Sequence, residues 1–428
     1  MRQQYFKDVD EEMVKLTLEN GLRVTLIPKK DYHRVYGILT TDCGSLDVAL
    51  EDVNTGQVTE LPVGVAHFLE HKLFEGQDGE DAFIRFMRQG AQANAFTTNF
   101  QTSYLFSTSF QIEENIETLL DFVQVPYFTE EGVEKEKGII EQEIISYIDS
   151  PHWRIHQLLL EGLYPNHPAG VDIAGTVESV QATTYTDLMT AYRAFYHPSL
   201  MSLILVGDLK SEDIIALITK NQAKKSFPEL QLKAKAVKLE SDVIAKQTLT
   251  MAVSQPLVAL GARLGEITET EDDLHLLTLH SSVLIDLLFG PTGVISQEWY
   301  EKEWVDNSFD WMVFAKNPMH YLYLSVSTAY PEEISAEWEK ALMDWQNSPD
   351  LNQEHFEQVI KGKIGDLLQM HNSLENIAYA IIDSEFDEFD YFNTMKYLKE
   401  MTLSDVIAYG KKYWTTTEIS RALILPIA

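Results

Sequence analysis

Two kinds of hydrophobic pattern follow one another along the chain, and their order predicts a mixture of strands and helices. Apolar and polar residues alternate through 14–29 around Asn20-Gly21, which predicts a β-hairpin. Further strands are predicted at 36–43, 94–109 (as a pair) and 201–206. Helical periodicity predicts helices at 64–75, 81–89, 112–124, 130–148, 153–163 and 184–195.

Residues 221–245 are rich in lysine and poor in aromatic residues, which predicts a linker. Beyond it a similar order restarts, with strands near 256–261, 308–314, 321–328 and 420–427 and helices near 270–289, 331–346, 352–370 and 400–413. Because the two parts are about equal in length and element order, the pattern predicts a degenerate duplication. We therefore predict an α+β chain with two homologous domains at 1–220 and 246–428, each an antiparallel β-sheet flanked by helices.

The composition indicates which partners and which cellular compartment to expect. The net charge is −33, from 33 basic and 66 acidic residues, so we expect no nucleic acid and no membrane as a partner. A basic peptide would be attracted, although most of this charge is expected to be solvated helix surface. Cys43 is the single cysteine, and neither a signal-peptide core nor a run of transmembrane length is present. These features predict a cytoplasmic protein.

The helix predicted at 64–75 carries the clearest chemical signal, the sequence His67-Phe-Leu-Glu70-His71. Residues four apart on a helix lie on one face, so both imidazoles can reach one metal ion. Glu70 faces the same side and can act as a general base on water. The order H-x-x-E-H is an inverzincin signature. A histidine pair on a helix is more often surface or core, but this helix is largely apolar, so its buried polar groups need a partner such as a metal.

Two histidines leave a catalytic zinc one protein ligand short of the usual three. The predicted helix at 130–148 offers several glutamates, of which Glu136 and Glu143 are seven apart and share a face with an apolar stripe. A carboxylate beside an apolar stripe is where a buried ligand is expected. We therefore predict Glu143 as the third ligand and Glu136 as the residue that supports the site.

A set of ordered motifs resembles the pitrilysin/insulinase family of zinc metallopeptidases, in its bacterial, processing-peptidase-like branch. The motifs cover the first half of the chain and are GVAHFLEHKLFEG (64–76), NAFTT (94–98) followed by Tyr104, EKEKGIIEQEI (134–144), HPAG (167–170), AGT (174–176), FYHP (195–198) and VGD (206–208). The resemblance implies the LuxS-like metallohydrolase fold of that family. It implies Zn²⁺ held by His67, His71 and Glu143, with Glu70 as general base and Glu136 assisting.

The resemblance also implies the substrate class. Asn94, Ala95 and Phe96 match the edge-strand segment that pairs with an extended peptide, so that backbone hydrogen bonds give affinity. The function implied is a zinc metalloendopeptidase that hydrolyses extended peptides inside a chamber formed by two two-domain subunits.

One departure from the family pattern concerns the second half. Active members usually carry an Arg and a Tyr there that hold the substrate near the zinc, whereas the matching stretch Ser296–Phe309 has no Arg, and only Arg263 and Arg421 lie beyond the linker. The resemblance therefore implies a heterodimer with a related, clamp-bearing subunit in preference to a homodimer. Two alternatives stay open: a non-catalytic or half-competent subunit of a heterodimeric peptidase, and a metal-dependent hydrolase of non-peptide substrates.

Overall fold

The computed structural model describes residues 1–30, 32–76, 79–240, 242–267, 271–385, 391–415 and 418–427. Within these ranges the strands are β1 (Arg2–Phe6), β2 (Glu11–Thr17), β3 (Arg23–Pro28), β4 (Val35–Thr41), β5 (Ala49–Asp52), β6 (Val58–Glu60), β7 (Ala91–Thr97), β8 (Thr102–Thr108), β9 (Met201–Gly207), β10 (Leu232–Ala234), β11 (Lys246–Met251), β12 (Leu257–Arg263), β13 (Asp310–Lys316), β14 (Met319–Ser327) and β15 (Ile419–Pro426).

The α-helices within the same ranges are α1 (Val65–Leu73), α2 (Ala82–Arg88), α3 (Ile112–Gln124), α4 (Glu130–Ile148), α5 (Pro151–Leu163), α6 (Val177–Ala182), α7 (Tyr185–Phe195), α8 (Ser211–Gln222), α9 (Glu271–Phe289), α10 (Val294–Glu301), α11 (Pro331–Met343), α12 (Gln353–Met370), α13 (Leu374–Glu385), α14 (Thr394–Glu400) and α15 (Leu403–Tyr413). The predicted α+β class is confirmed. The sequence pattern does not predict β1, β5, β6, β10, β11, α6, α8, α10, α13 or α14. Residue 270, the first of the predicted helix 270–289, lies outside the described ranges.

The two larger sheets repeat one strand order. The first runs β1-β2-β3-β9-β4-β8-β7 and the second β11-β15-β12-β14-β13, while β10-β5-β6 form a small third sheet. Without β1 and β2, the two orders match strand for strand, because β3–β9 and β11–β15 are the parallel pairs and the other neighbours are antiparallel. This correspondence agrees with a duplicated chain and makes β13 the counterpart of β7. The predicted domain boundaries stay a prediction.

Each large sheet is covered on one face by a helix from the other half of the chain. Helix α13 packs against β4 and β9, and helix α5 packs against β12 and β15. The strands beneath them are buried along their whole length, as expected for strands with both faces covered, and are β4, β9 and β12. Helix α1 and its neighbours cover the opposite face of the first sheet. Helix α1 therefore lies on one face of the first sheet, and the second half of the chain packs against the opposite face.

Helix α9 is the apolar centre of the second half. No single described helix is long and apolar enough to cross a membrane. The part of α9 that begins at Leu274 and the helix α10, which are bent by 44° relative to each other, would together be long and apolar enough, judged by length and composition only. Leu284 and Phe289 of α9 are fully buried in the core of the second half. The apolar composition of α9 is thus accounted for by packing.

Gly64 fixes the place where α1 begins. Its φ is +85°, and a Cβ there would lie 2.4 Å from the carbonyl oxygen of Ala174. Gly175 has a φ of +81°, and its Cβ would lie 2.6 Å from the carbonyl oxygen of Val63. The two glycines let these backbone segments touch, which places the first turn of α1 against the loop that carries the AGT motif.

We expect Gly64→Ala to lower the free energy of unfolding by roughly 2–4 kcal/mol, because both the left-handed backbone and the contact with Ala174 oppose a Cβ. Gly56→Ala is the matched control: its φ is also positive (+71°), but nothing lies within 4 Å of its added Cβ. The control should lose roughly 1 kcal/mol. Chemical denaturation followed by circular dichroism measures both losses. Equal losses would contradict a role for the close backbone contact.

Candidate metal centre

Helix α1 carries two imidazoles and a carboxylate, of which His67 and Glu70 are buried and His71 is half-buried. His67 is 8% exposed and Glu70 is 9% exposed. The rings of His67 and His71 lie one turn apart with their centroids separated by 4.6 Å. The ionisable groups of His67, Glu70 and His71 on this packed helix need partners from another element.

Helix α4 supplies the partners of the two imidazoles. One carboxylate oxygen of Glu143, Oε2, lies 3.2 Å from His71 Nε2 and 3.8 Å from His67 Nε2. One ligand atom from each of the three side chains lies within 4.8 Å of the other two. The structure thus brings together the three residues predicted from the sequence as metal ligands.

These three donors fit a zinc ion by type and by spacing. Zinc in proteins binds imidazole nitrogens and carboxylate oxygens at about 2.0–2.2 Å, and donors in such a tetrahedral array lie roughly 3.3–3.6 Å apart. The two distances from Glu143 Oε2 bracket that range. A set of three protein donors also leaves a fourth position for water, as in catalytic sites.

Glu136 supports the arrangement from the same helix. Its Oε1 lies 3.1 Å from His71 Nδ1, so the carboxylate accepts the Nδ1 hydrogen and directs His71 Nε2 toward Glu143. A ligand histidine held by a carboxylate in this way is a common feature of metal sites. His67 Nδ1 is buried without a hydrogen-bond partner among the described residues.

Tyr147 is a residue of the site that the sequence prediction does not include. Its hydroxyl donates to Glu143 Oε1 over 2.9 Å, and its ring stacks on Trp153 with 4.8 Å between centroids. The Trp153 indole in turn donates to Asp172 Oδ2 over 2.7 Å. Tyr147 follows Glu143 by four residues on α4, so helical spacing was the signal that could have identified it.

Thr97 is the second residue absent from the prediction. Its hydroxyl donates to Glu70 Oε2 over 2.5 Å. This hydrogen bond connects strand β7 to helix α1. Burial raises the pKa of Glu70 to about 7, and this hydrogen bond offsets only part of that rise. Glu70 is therefore a stronger base than an exposed carboxylate and is held in one orientation.

The two histidines differ in their protonation. Burial, with a contribution from the charge of His71, lowers the pKa of His67 to about 4. Burial also acts to lower the pKa of His71, but hydrogen bonds with Glu136 and Glu143 outweigh it and raise that pKa. The hydrogen bond from His71 likewise lowers the pKa of Glu143 to about 2. His67 is thus neutral, and Glu143 ionised, at neutral pH.

The predicted substrate segment lies on the edge strand β7, which pairs with β8 on one side only. Thr98 N donates to the Gln101 carbonyl at the hairpin end, and alternation along an antiparallel pair then turns the backbone groups of Ala95 toward the open edge. Asn94 Oδ1 accepts the Ala95 N–H over 2.9 Å. Phe96 packs on Tyr379 of α13, with 5.3 Å between ring centroids. Of the three predicted residues, Ala95 is therefore the one whose backbone faces the edge.

Both arginines of the second half are held in ion pairs. Arg263 is bonded to both carboxylate oxygens of Glu418, and Arg421 is bonded to Glu332 and Glu339. In the described part of the second half, both arginines therefore already have carboxylate partners.

Two of the histidine-containing motifs have a local structural role. His167 Nδ1 accepts the Ala169 N–H in HPAG, and His197 Nδ1 accepts the Ser199 N–H in FYHP. Each caps a short turn, and neither belongs to the cluster of metal donors.

Comparison with known proteins identifies the family of both halves. Residues 47–177 match the family model described as insulinase (peptidase family M16), and residues 182–363 match the peptidase M16 inactive domain. The chain is 37% identical over 403 residues to the uncharacterized zinc protease YmfH of Bacillus subtilis (strain 168), and the alignment covers 94% of each chain.

Solved structures show the same fold over almost the whole chain. An M16-like peptidase from Alicyclobacillus acidocaldarius superimposes with a TM-score of 0.91 at 32% identity, covering 97% of this chain and 99% of that one. A protease from Helicobacter pylori gives a TM-score of 0.76 at 18% identity, covering 97% and 100%, which is a likeness of fold alone. The chain therefore belongs to the insulinase family of peptidases, peptidase family M16.

Proposed function

We propose that this chain is a zinc-dependent endopeptidase that hydrolyses extended peptides. The observation that carries the proposal is the convergence of donor atoms from His67, His71 and Glu143 on two helices, beside the buried carboxylate of Glu70. A bound zinc ion supplies Lewis-acid chemistry, because it acidifies water and polarises a carbonyl group. The relative YmfH, which is named a zinc protease, supports this choice of metal and reaction.

Glu70 performs the proton transfers in the proposed reaction. It removes a proton from the attacking water and returns that proton to the leaving amine. Thr97 engages Oε2 of Glu70, so Oε1 is the oxygen that exchanges the proton. A pKa near 7 suits both transfers, since an efficient acid–base group titrates near the working pH.

The proposed substrate is a peptide in extended conformation, because the open edge of β7 leads directly to the general base. Ala95 directs its carbonyl group to that edge, where Asn94 Oδ1 accepts the Ala95 N–H, and Thr97, two residues later, binds Glu70. A peptide added as a further strand would donate a hydrogen bond to this carbonyl group and bring its backbone to the cluster.

The proposed assembly is a two-subunit chamber in which a related subunit supplies the substrate clamp. Arg263 and Arg421, the two arginines of the second half, are both engaged in ion pairs, which favours a partner chain as the source of a guanidinium that holds the substrate. The same observation favours a second candidate function, that of a half-competent subunit inactive without its partner. The match of residues 182–363 to the M16 inactive domain is consistent with that candidate.

We expect Glu70→Gln to keep zinc and lose turnover by about 10²–10⁴-fold, because glutamine accepts the Thr97 hydrogen bond but no proton. Zinc content by atomic absorption and peptide hydrolysis by mass spectrometry measure the two properties separately. Loss of zinc in this variant would make Glu70 a ligand and overturn its assignment as the base.

We expect Glu143→Gln to weaken zinc binding by more than about 100-fold, because an ionised ligand is replaced by a neutral amide. Tyr147→Phe should weaken it by about tenfold, since only the hydrogen bond that orients Glu143 is lost. Glu141→Gln is the matched control on the same helix, because Glu141 bonds Gln181 and lies outside the donor cluster. Competition with a chromophoric chelator measures the affinities. An unchanged affinity in Glu143→Gln would remove Glu143 from the ligand set.

If a related subunit supplies the substrate clamp, adding a sister chain that carries the Arg and Tyr of the family pattern should raise the rate of peptide cleavage by about 10²-fold. The reason is that the clamp positions the scissile bond. Turnover is measured for this chain alone, for the sister chain alone and for the mixture, with sedimentation to count subunits. Full activity of this chain alone as a monomer would contradict the need for a partner. In the mixture, Glu70→Gln in this chain should abolish cleavage.

A further inference from the structure

A second cleft, separate from the metal centre, lies in the second half between the C-terminal end of α10 and the start of β13. Its volume is about 510 Å³. The residues that matter for the argument are Ser296, Tyr300, Glu301, Asp306, Phe309 and Trp311. None of the residues assigned to the metal centre lines it.

Aromatic rings form much of the wall of this cleft. Tyr300 is 60% exposed, so its ring is available to a ligand. The rings of Phe309 and Trp311 lie 5.3 Å apart and tilted by 40°, and the Trp311 indole is fixed by a 2.9 Å hydrogen bond to Asp286. Aromatic faces of this kind attract cations through their quadrupole, and planar cations stack on them.

The charge at the cleft is negative. Glu301 and Asp306 line it, whereas none of its lining residues is a lysine or an arginine. The neighbouring Lys302 lies 4.0 Å from Glu298 and 4.6 Å from the Trp304 ring, two groups that do not line the cleft. A cation that entered the cleft would meet the carboxylate of Glu301 and that of Asp306, whose Oδ1 already accepts hydrogen bonds from Ser308.

The position of Glu301 is unfavourable for the stability of α10. It is the last residue of α10, and the last turn of this helix has no basic residue. The C-terminal end of a helix carries partial negative charge, so it repels a carboxylate and attracts a cation. A bound cation would therefore be stabilised by Glu301 and by the helix end together.

Ser296 provides an independent indication of a ligand. It is only 5% exposed, it lines the cleft, and its Oγ has no hydrogen-bond partner among the described residues. Buried hydroxyl groups in folded proteins are normally hydrogen-bonded. A ligand with an N–H group in the cleft would satisfy this oxygen.

We propose that this cleft binds the side chain of an arginine residue in a peptide substrate. Arginine fits the cleft because its guanidinium is planar, carries five N–H donors and stacks on aromatic rings, while Ser296, Glu301 and Asp306 offer oxygen acceptors. The chain's excess of 66 acidic over 33 basic residues attracts basic peptides in general. The inference rests on the proposed peptidase function and makes the second half a determinant of its specificity.

The test is direct binding of N-acetyl-arginine methylamide to the full chain by isothermal titration calorimetry, with the citrulline analogue as the neutral control ligand. The arginine probe should bind with an affinity in the millimolar range, and the citrulline probe should bind at least about tenfold more weakly, since it lacks the charge. Glu301→Gln should weaken binding of the arginine probe by roughly tenfold or more. Glu298→Gln is the matched control, because Glu298 lies one turn earlier on α10 and does not line the cleft.

A Ser296→Ala variant tests the role of the buried hydroxyl. It should lower the affinity for the arginine probe, and the affinity for the citrulline probe should remain low. Equal binding of the two probes, or an unchanged affinity in Glu301→Gln, would overturn the proposal. Because binding is measured without turnover, its failure is distinct from failure of the peptidase. A chain that cleaves peptides but binds the two probes equally refutes only the cleft, and a chain that binds the arginine probe without cleaving peptides refutes only the activity.

Discussion

The site depends on the contact between α1 and α4, because neither helix satisfies its own buried polar groups. The imidazoles of α1 face the carboxylates of Glu136 and Glu143 across this contact. Their positions are fixed from both sides: Gly64 sets the start of α1 against the backbone at Ala174, and Tyr147 holds the far oxygen of Glu143. A small slide of α4 along α1 would move Glu143 away from both histidines at once, so the affinity for a metal depends on the packing of these two helices.

The two halves are held together by exchange of equivalent helices. Helix α5 belongs to the first half and covers the second sheet, and α13 belongs to the second half and covers the first sheet. Tyr379 of α13 reaches Phe96 on β7, so the strand proposed to receive substrate is supported from the opposite half of the chain. Apolar residues on both faces of β4, β9 and β12 make this exchange favourable, since each sheet would otherwise expose a hydrophobic face.

Local pattern predicts most of the elements, and what it misses depends on distant contacts. The hairpin around Asn20-Gly21 and helix α4 at Glu130–Ile148 follow from turn chemistry and periodicity. The short strand β10 lies in a lysine-rich stretch and exists because its backbone pairs with β5, some 180 residues away in sequence. The ligand triad follows from helical spacing together with family resemblance. The bond from Thr97 to Glu70 joins a strand to a helix across 27 residues, and no periodicity encodes it.

Among the described residues, the duplicated frame carries a cluster of metal donors in its first copy. In strand order, α9 precedes β13 as α1 precedes β7, yet α9 is packed by α12, α15 and β13. The packed face of α9 is apolar, with Leu284 and Phe289 fully buried. Helix α1, which is also packed, instead directs His67 and His71 toward Glu143 of α4. The polar groups of the second copy lie instead at the end of α10, where Glu301 and the aromatic rings border open space. One scaffold thus supports a buried donor cluster in its first copy and a surface cleft in its second.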